Sequence, residues 1–400
     1  MGKSLSDGGL LDEAIERLPD AVRLRRQLHQ HPEIGLHLPA TQDAILANLQ
    51  GLPVTTRLGT TTSSVTAVLE GEKPGPTILL RADMDALPMP EDTGFEFSSR
   101  VENAMHACGH DLHVAMLMGT AHMLSERRGE LAGRVLFMFQ PGEEGYHGAR
   151  FMLEDGLLDG VGEVTSAFAI HASPSVPAGA IAIKGGSLMA SADQLFITIV
   201  GRGGHASAPH HALDPIPVAC EIVQAIQTMI TRSVDAFDPA VVTIAQIVAG
   251  TTSNVIPETA KIIGTIRAVS EHTRRLVHDN LRRVADGIAA AHGASVEFEI
   301  EHGYPVTINH VGPAAEVSRI ATDILGPKRV INIANPVMGA EDFSYVLQRV
   351  PGAMAFLGAT PVGGDPRTAA PNHSNRAVFN EESMSAGIAL YTAVALDHLQ

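Results

Sequence analysis

The sequence predicts an α/β protein: a mixed sheet interrupted by a smaller inserted α+β domain. Three observations carry that expectation. Short, fully apolar runs end abruptly in polar residues, as strands buried on both faces of an α/β sheet do. Between residues 187 and 303 the order becomes strand, helix, strand, strand, helix, strand, the split ferredoxin-like pattern. After that stretch the first texture resumes. The expected division is a larger domain from residues 1–186 and 304–400, with an insert at 187–303. A chain of 400 residues has ample length for both cores.

Residues 10–50 read as helices, with Arg23, Arg25 and Arg26 on a solvated face. Pro32 breaks that pattern, and the flanking His29 and His31 read as structural. Residues 64–69 and 77–80 are expected strands, the second running into Arg81-Ala82-Asp83-Met84-Asp85. A buried helix is expected over 112–124, with Cys108 and His110 just ahead of it. Residues 134–139 form a third strand, ending in Gln140-Pro141-Gly142-Glu143-Glu144-Gly145. A fourth, 167–170, ends in His171. A fifth, 353–357, precedes a Pro/Gly-rich loop, 361–372, that leads to His373. Open α/β sheets bind ligands at the carboxyl ends of their strands, and the concentrated polar groups fall there. In the insert, strands are expected at 194–200, 241–248, 260–269 and 295–301, with helices at 214–230 and 271–292. Cys220 lies in the first of these helices and reads as core packing. Such an insert exposes an edge strand, a liability unless paired, so a homodimer is expected, possibly a tetramer.

Composition excludes several classes. A formal net charge of −16 argues against nucleic acid as a partner. No apolar run approaches the roughly 18 residues of a membrane span. The stretch Met1-Gly2-Lys3-Ser4-Leu5-Ser6-Asp7 lacks an apolar signal core, so a cytoplasmic protein is expected, and Gly2 alone is too little for a myristoylation site. Two cysteines exclude a disulfide framework.

The densest chemistry is Met105-His106-Ala107-Cys108-Gly109-His110-Asp111-Leu112-His113. Cys108 and His110 are two apart and cannot share a helix face, but Gly109 gives the backbone freedom to converge them. Together with Glu144, His171 and His373 they form a candidate donor set of thiolate, carboxylate and imidazoles. That mixture suits zinc, nickel, cobalt or manganese better than magnesium or calcium. Five donors exceed one tetrahedral site, and two metals about 3.5–4 Å apart would use them all. Glu143 and Glu144 are adjacent, so their side chains diverge: one can bind metal while the other acts as general base. Asp85 is a natural partner for a ligating histidine, and Asp83 fits either a ligand or a supporting role.

Residues 81–88, 105–113 and 140–145, His171, and Gly201-Arg202-Gly203-Gly204-His205-Ala206-Ser207-Ala208-Pro209 resemble the co-catalytic metal aminoacylase/carboxypeptidase family. The similar branch contains hippurate hydrolases, N-acyl-amino-acid amidohydrolases and plant auxin-conjugate hydrolases. The resemblance runs from His29 to His373. It implies a zinc-peptidase-like catalytic domain with an inserted ferredoxin-like dimerisation domain. It implies Cys108, His110, Glu144, His171 and His373 as ligands of two divalent metals and Glu143 as the base. It further implies that His205 stabilises the oxyanion from the partner subunit, and that Asn254 and Arg267 contact the substrate carboxylate. The segment Asn372-His373-Ser374-Asn375 lacks the proline common after that histidine. The expected activity is cleavage of N-acyl-amino acids to a carboxylate and a free amino acid. A dipeptidase or carboxypeptidase on the same site is the alternative. A non-enzymatic metal-binding relic predicts loss of the base, whereas Glu143 is present.

Overall fold

The computed structural model describes residues 9–400, so the signal-segment and Gly2 readings lie outside the described residues. Helices α1 (Gly9–Gln30) and α2 (Pro39–Leu49) precede strands β1 (Val54–Leu58), β2 (Val65–Glu70) and β3 (Lys73–Asp83). Then come α3 (His110–Ser125), β4 (Ala132–Gln140), α4 (Gly148–Glu154), β5 (Val164–Ser173), β6 (Ile181–Ile183) and β7 (Gly186–Met189). They are followed by β8 (Asp193–Val200), β9 (Gly204–His205), α5 (Pro215–Ser233), β10 (Ala240–Ala249), β11 (Val255–Ile256), β12 (Thr259–Ala268), α6 (Glu271–Ala291) and β13 (Ser295–His302). The chain closes with β14 (Thr307–Asn309), α7 (Val311–Leu325), β15 (Val330–Asn332), α8 (Ser344–Leu347), β16 (Gly352–Gly358) and α9 (Met384–His398). No helix among the described residues is long and apolar enough to cross a membrane.

Two compact units result. The first takes in the chain up to Gly186, then Ile308–Asn335 and Asp342–Gln400; the second is Ser187–Thr307 with Pro336–Glu341. The first unit is built on an eight-stranded mixed sheet of order β1-β2-β4-β3-β5-β16-β6-β15. Its centre is parallel: β3 pairs with β4 and β5, and β16 pairs with β5. Their carboxyl ends therefore open on one side, with Asp83 opposite Gln140 and His171 opposite Phe356. His171 lies inside β5 rather than after it, because β16 keeps pairing out to Gly358 opposite Ser173. Helix α3 is apolar nearly all round, with Leu112, Val114, Met116, Leu117 and Leu124 fully buried, as a core helix must be. Each such side chain contributes about 1.5–3 kcal/mol by burial.

Two further expectations fail. Arg25 is not on a solvated face: it is 1% exposed, with Nε 2.8 Å from Asp111 Oδ2 and NH1 3.1 Å from Glu381. Its partner Asp111 sits in the first turn of α3, where a carboxylate also meets the positive end of the helix dipole. Cys220 is not core packing but exposed. The buried stripe of α5 is Val218, Ala219, Ile222, Ile226 and Met229, and a residue two beyond Val218 falls on the far side of a 3.6-residue turn.

The second unit has one antiparallel sheet of order β10-β12-β8-β13. Leu195, Ile197 and Ile199 of β8 pack with Ile222 and Ile226 of α5 and Val277 and Leu281 of α6. Asp193 starts β8 and is buried. It accepts from Arg274 Nε and NH2 at 2.9 and 2.5 Å and from the Gly303 N–H at 3.0 Å, with His278 Nε2 at 2.9 Å. A separate two-stranded pair joins β9 to β11.

Candidate metal centre

Cys108, His110, Glu144 and His171 meet at the carboxyl ends of the parallel strands, and His373 reaches the same place from the loop after β16. Gly109 separates Cys108 from His110 in the left-handed region, φ +86, and a Cβ there would meet the Phe379 ring at 3.1 Å. Only glycine fits that bend comfortably, and it turns the chain directly into α3. Below the site, Tyr391 of α9 donates to the Arg81 carbonyl at 2.6 Å and accepts from the Ile170 N–H at 2.8 Å. That bridge locks β3 to β5.

Cys108, His110 and His171 form one buried group whose donor atoms all lie within 4.8 Å of one another. Cys108, Glu144 and His373 form a second on the same criterion, so the thiol belongs to both. Cys108 Sγ is 3.4 Å from His171 Nε2. Glu144 Oε1 is 3.0 Å from His373 Nε2 and 3.9 Å from His110 Nε2. Glu143 is buried beside them. Asp85 grips the loop that carries both glutamates: its two oxygens accept the N–H groups of Glu143 at 2.8 Å and Glu144 at 3.0 Å. It also stands 3.6 Å from His110 Nδ1.

Backbone contacts set two imidazole tautomers. His171 Nδ1–H donates to the Ala172 carbonyl at 2.9 Å, which leaves Nε2 as a lone pair facing the thiol. The Ala172 N–H donates to His113 Nε2 at 2.7 Å, so His113 carries its proton on Nδ1 and donates to Asp83 Oδ1 at 2.5 Å. Both His113 nitrogens are thereby used. Asp83 Oδ2 accepts from Arg81 NH1 at 2.6 Å, so both carboxylate oxygens of Asp83 have partners as well. The sequence signal for this supporting role of His113 is its position three residues after His110, on the same helix face.

The electrostatics are those of a cation site. Burial and the surrounding carboxylates Glu144, Glu143 and Asp83 push the Cys108 thiol well up. Burial opposes the charged form of His110, but Asp83, Asp85 and Glu144 outweigh it and raise it to about 10. Burial, with His113 next, pushes His171 well down. For Asp83, burial is outweighed by Arg81, His110 and His113, which hold it well below the usual carboxylate range. Burial also opposes ionisation of Glu144, and His373 and His110 overcome it. Neither ring nitrogen of buried His110 has a hydrogen-bond partner among the described residues. A divalent cation would satisfy that imidazole, deprotonate the thiol and offset the clustered carboxylates. The donor set fits such a group.

The other three candidates lie in the second unit. His205 pairs with Val255 across β9 and β11, and the Ala206 N–H donates to the Asn254 carbonyl at 3.1 Å, so His205 and Asn254 are brought together. They share an open depression with Gly203, Gly204 and residues 255–258. His205 is exposed, and its Nδ1 accepts the Ser207 N–H at 3.1 Å, so the neutral ring carries its proton on Nε2. Arg267 stands apart on β12, opposite Val241. It is half-buried, forms no ion pair among the described residues, and burial lowers its pKa.

Residues 79–397 match the sequence profile of Peptidase family M20/M25/M40. The chain is 38% identical over 396 residues to thermostable carboxypeptidase 1 of Saccharolobus solfataricus, covering 96% of this chain and 98% of that protein. It is 40% identical over 304 residues to an N-acyl-L-amino acid amidohydrolase of Geobacillus stearothermophilus, covering 74% and 81% of the two chains. Among solved structures it is similar to the Bacillus subtilis YXEP protein, a dinuclear metal binding peptidase from the M20 family. The TM-score is 0.83 at 34% identity, covering 96% of this chain and 98% of that one.

Proposed function

The chain belongs to peptidase family M20/M25/M40, and from that premise we propose a metal-dependent amidohydrolase that cleaves N-acyl-amino acids to a carboxylate and a free amino acid. The observation that carries the reading is the pair of donor groups sharing Cys108, with the buried Glu143 alongside. Cys108, His110, Glu144, His171 and His373 would hold two divalent cations, of zinc, manganese, nickel or cobalt. When bound, they supply Lewis acidity to the amide carbonyl and make water acidic enough to attack at neutral pH.

The chain's own residues do the rest. Glu143 takes the proton of the attacking water and delivers it to the leaving nitrogen. Asp85 holds Glu143 and Glu144 in place through their N–H groups. His205 Nε2–H donates to the developing oxyanion, a contribution of about 3 kcal/mol. Arg267, a guanidinium without a carboxylate partner among the described residues, and Asn254 receive the substrate carboxylate.

The assembly is a homodimer in which His205 serves the partner's site. Edge strand β10 exposes Val241, Ile247 and Val248, whereas the other edge, β13, presents Glu297, Glu299 and Glu301. The apolar edge suits pairing with a twofold mate, and the charged one resists it. A carboxypeptidase or dipeptidase activity is the second reading, favoured by the similarity to a thermostable carboxypeptidase. Assaying N-acetyl, N-benzoyl and indoleacetyl amino acids beside simple dipeptides separates the two. Turnover of dipeptides alone would reject the amidohydrolase.

A further inference from the structure

Three of the candidate ligands sit on segments far apart in the chain: Cys108 ahead of α3, His171 in β5, and His373 in the loop after β16. One side chain touches all three segments. Asn372 Nδ2 lies 3.0 Å from the Cys108 carbonyl and 3.0 Å from the Ala172 carbonyl, and it approaches Cys108 Sγ at 3.8 Å. An amide nitrogen has two hydrogens, and the two carbonyls use both. The orientation of the amide is unambiguous, because a flipped group would set its oxygen against two carbonyl oxygens. The Ala172 carbonyl is the one that accepts His171 Nδ1–H, and the N–H of the same residue holds His113. Asn372 therefore grips the residue that determines the presentation of His171.

His373 needs such an anchor. It adopts φ +67, a left-handed backbone that non-glycine residues rarely keep, and its side chain is 55% exposed. The surrounding loop lacks regular secondary structure. Its own N–H donates to the Ala107 carbonyl at 3.0 Å. With Asn372, that bond pins the turn to the segment carrying Cys108.

We infer that Asn372 is a positioning residue: its carboxamide clasps the Cys108 and His171 segments and thereby seats His373 in the ligand set. The inference rests on the proposed metal site. Outer groups that orient metal ligands are worth about 10–100-fold in metal affinity.

The test compares wild type with Asn372→Leu, His373→Ala and the double variant. Asn372→Ser, which is smaller but too short to reach both carbonyls, replaces Asn372→Leu if the latter does not fold. Metal-free protein is titrated with cobalt(II) against a chromophoric chelator, and the visible spectrum of the loaded protein is recorded. The expected result is two sites in wild type and one weakened about 10–100-fold in Asn372→Leu. The spectrum should move towards that of His373→Ala, and the double variant should bind no more weakly than His373→Ala alone, because both changes remove one seating. Wild-type affinities and spectrum in a folded Asn372→Leu protein overturn the inference. So does a loss that adds in full to that of His373→Ala. If wild type itself binds no cobalt, the metal reading falls and takes this inference with it, an outcome distinct from the other two.

Discussion

The two units hold their candidate residues in opposite ways. In the first, Cys108, His110 and His171 are buried, Glu144 is half-buried and His373 alone of the five is exposed, and the His171 tautomer is set by a backbone carbonyl. In the second, His205 and Asn254 are exposed on a minimal strand pair and a turn. Metal donors must be preorganised and shielded, since a thiol and clustered carboxylates are costly to bury unless a cation compensates. Groups that meet a substrate must stay accessible. The contrast predicts that lesions in the candidate ligands of the first unit remove metal, while lesions in the second unit spare metal and damage turnover.

The largest effect should follow from metal removal. Dialysis against a chelator is expected to take activity to background, and added zinc, manganese, nickel or cobalt to restore it. Full activity in protein shown to be metal-free would break the contrast at its root. Glu143→Gln sharpens it within the first unit. Turnover should fall at least ~10²-fold with metal content intact, whereas Glu144→Gln should lose metal. Exchanged phenotypes would reverse the assignment of base and ligand.

In the second unit, His205→Ala should cost roughly 10²-fold in kcat without metal loss. Mixing it with Glu143→Ala after subunit dissociation tests whether it acts across the dimer. Random pairing makes about half the dimers mixed, each with one whole site, so about a quarter of wild-type activity should return. Background activity with proven subunit exchange would place His205 in its own subunit's site. A smaller effect is expected at Arg267. Arg267→Ala should raise KM with little change in kcat or metal content, as loss of uniform substrate binding does. A substrate amide replacing the carboxylate should show no further penalty in that variant.

The smallest effect concerns stability. Burial opposes ionisation of Asp193, but His278 and Arg274 outweigh it and lower it from 3.8 to about 2. A depressed carboxylate stabilises the fold above its unfolded pKa, and that contribution fades as the pH drops through about 2. Asp193→Asn should therefore lower the melting temperature at pH 6 and flatten its dependence on acid. An unchanged acid limb would show that the Arg274 pair contributes nothing to it.

Local chemistry and periodicity were legible in the chain. Apolar runs marked the central strands because residues buried on both faces of a sheet leave no alternation to misread. The β-α-β-β-α-β order was readable from the change of period between strands and helices. The five candidate donors stood out because thiol, imidazole and carboxylate collect after those runs. The short strands β6 and β15 were not legible, since three residues carry too little pattern. Nor was the burial of Arg25. An arginine on a helix reads as solvated until its carboxylate is known, and Asp111 lies far along the chain.

What the sequence determined by itself was therefore which groups are chemically able to act, and on which kind of element each rides. Tertiary structure decided how they are used. It gave Asp83 to Arg81 and His113, Asp85 to the N–H groups of Glu143 and Glu144, and Asn372 to the Cys108 and Ala172 carbonyls. A buried polar group must find a partner, but which one depends on segments that only folding brings within 3 Å.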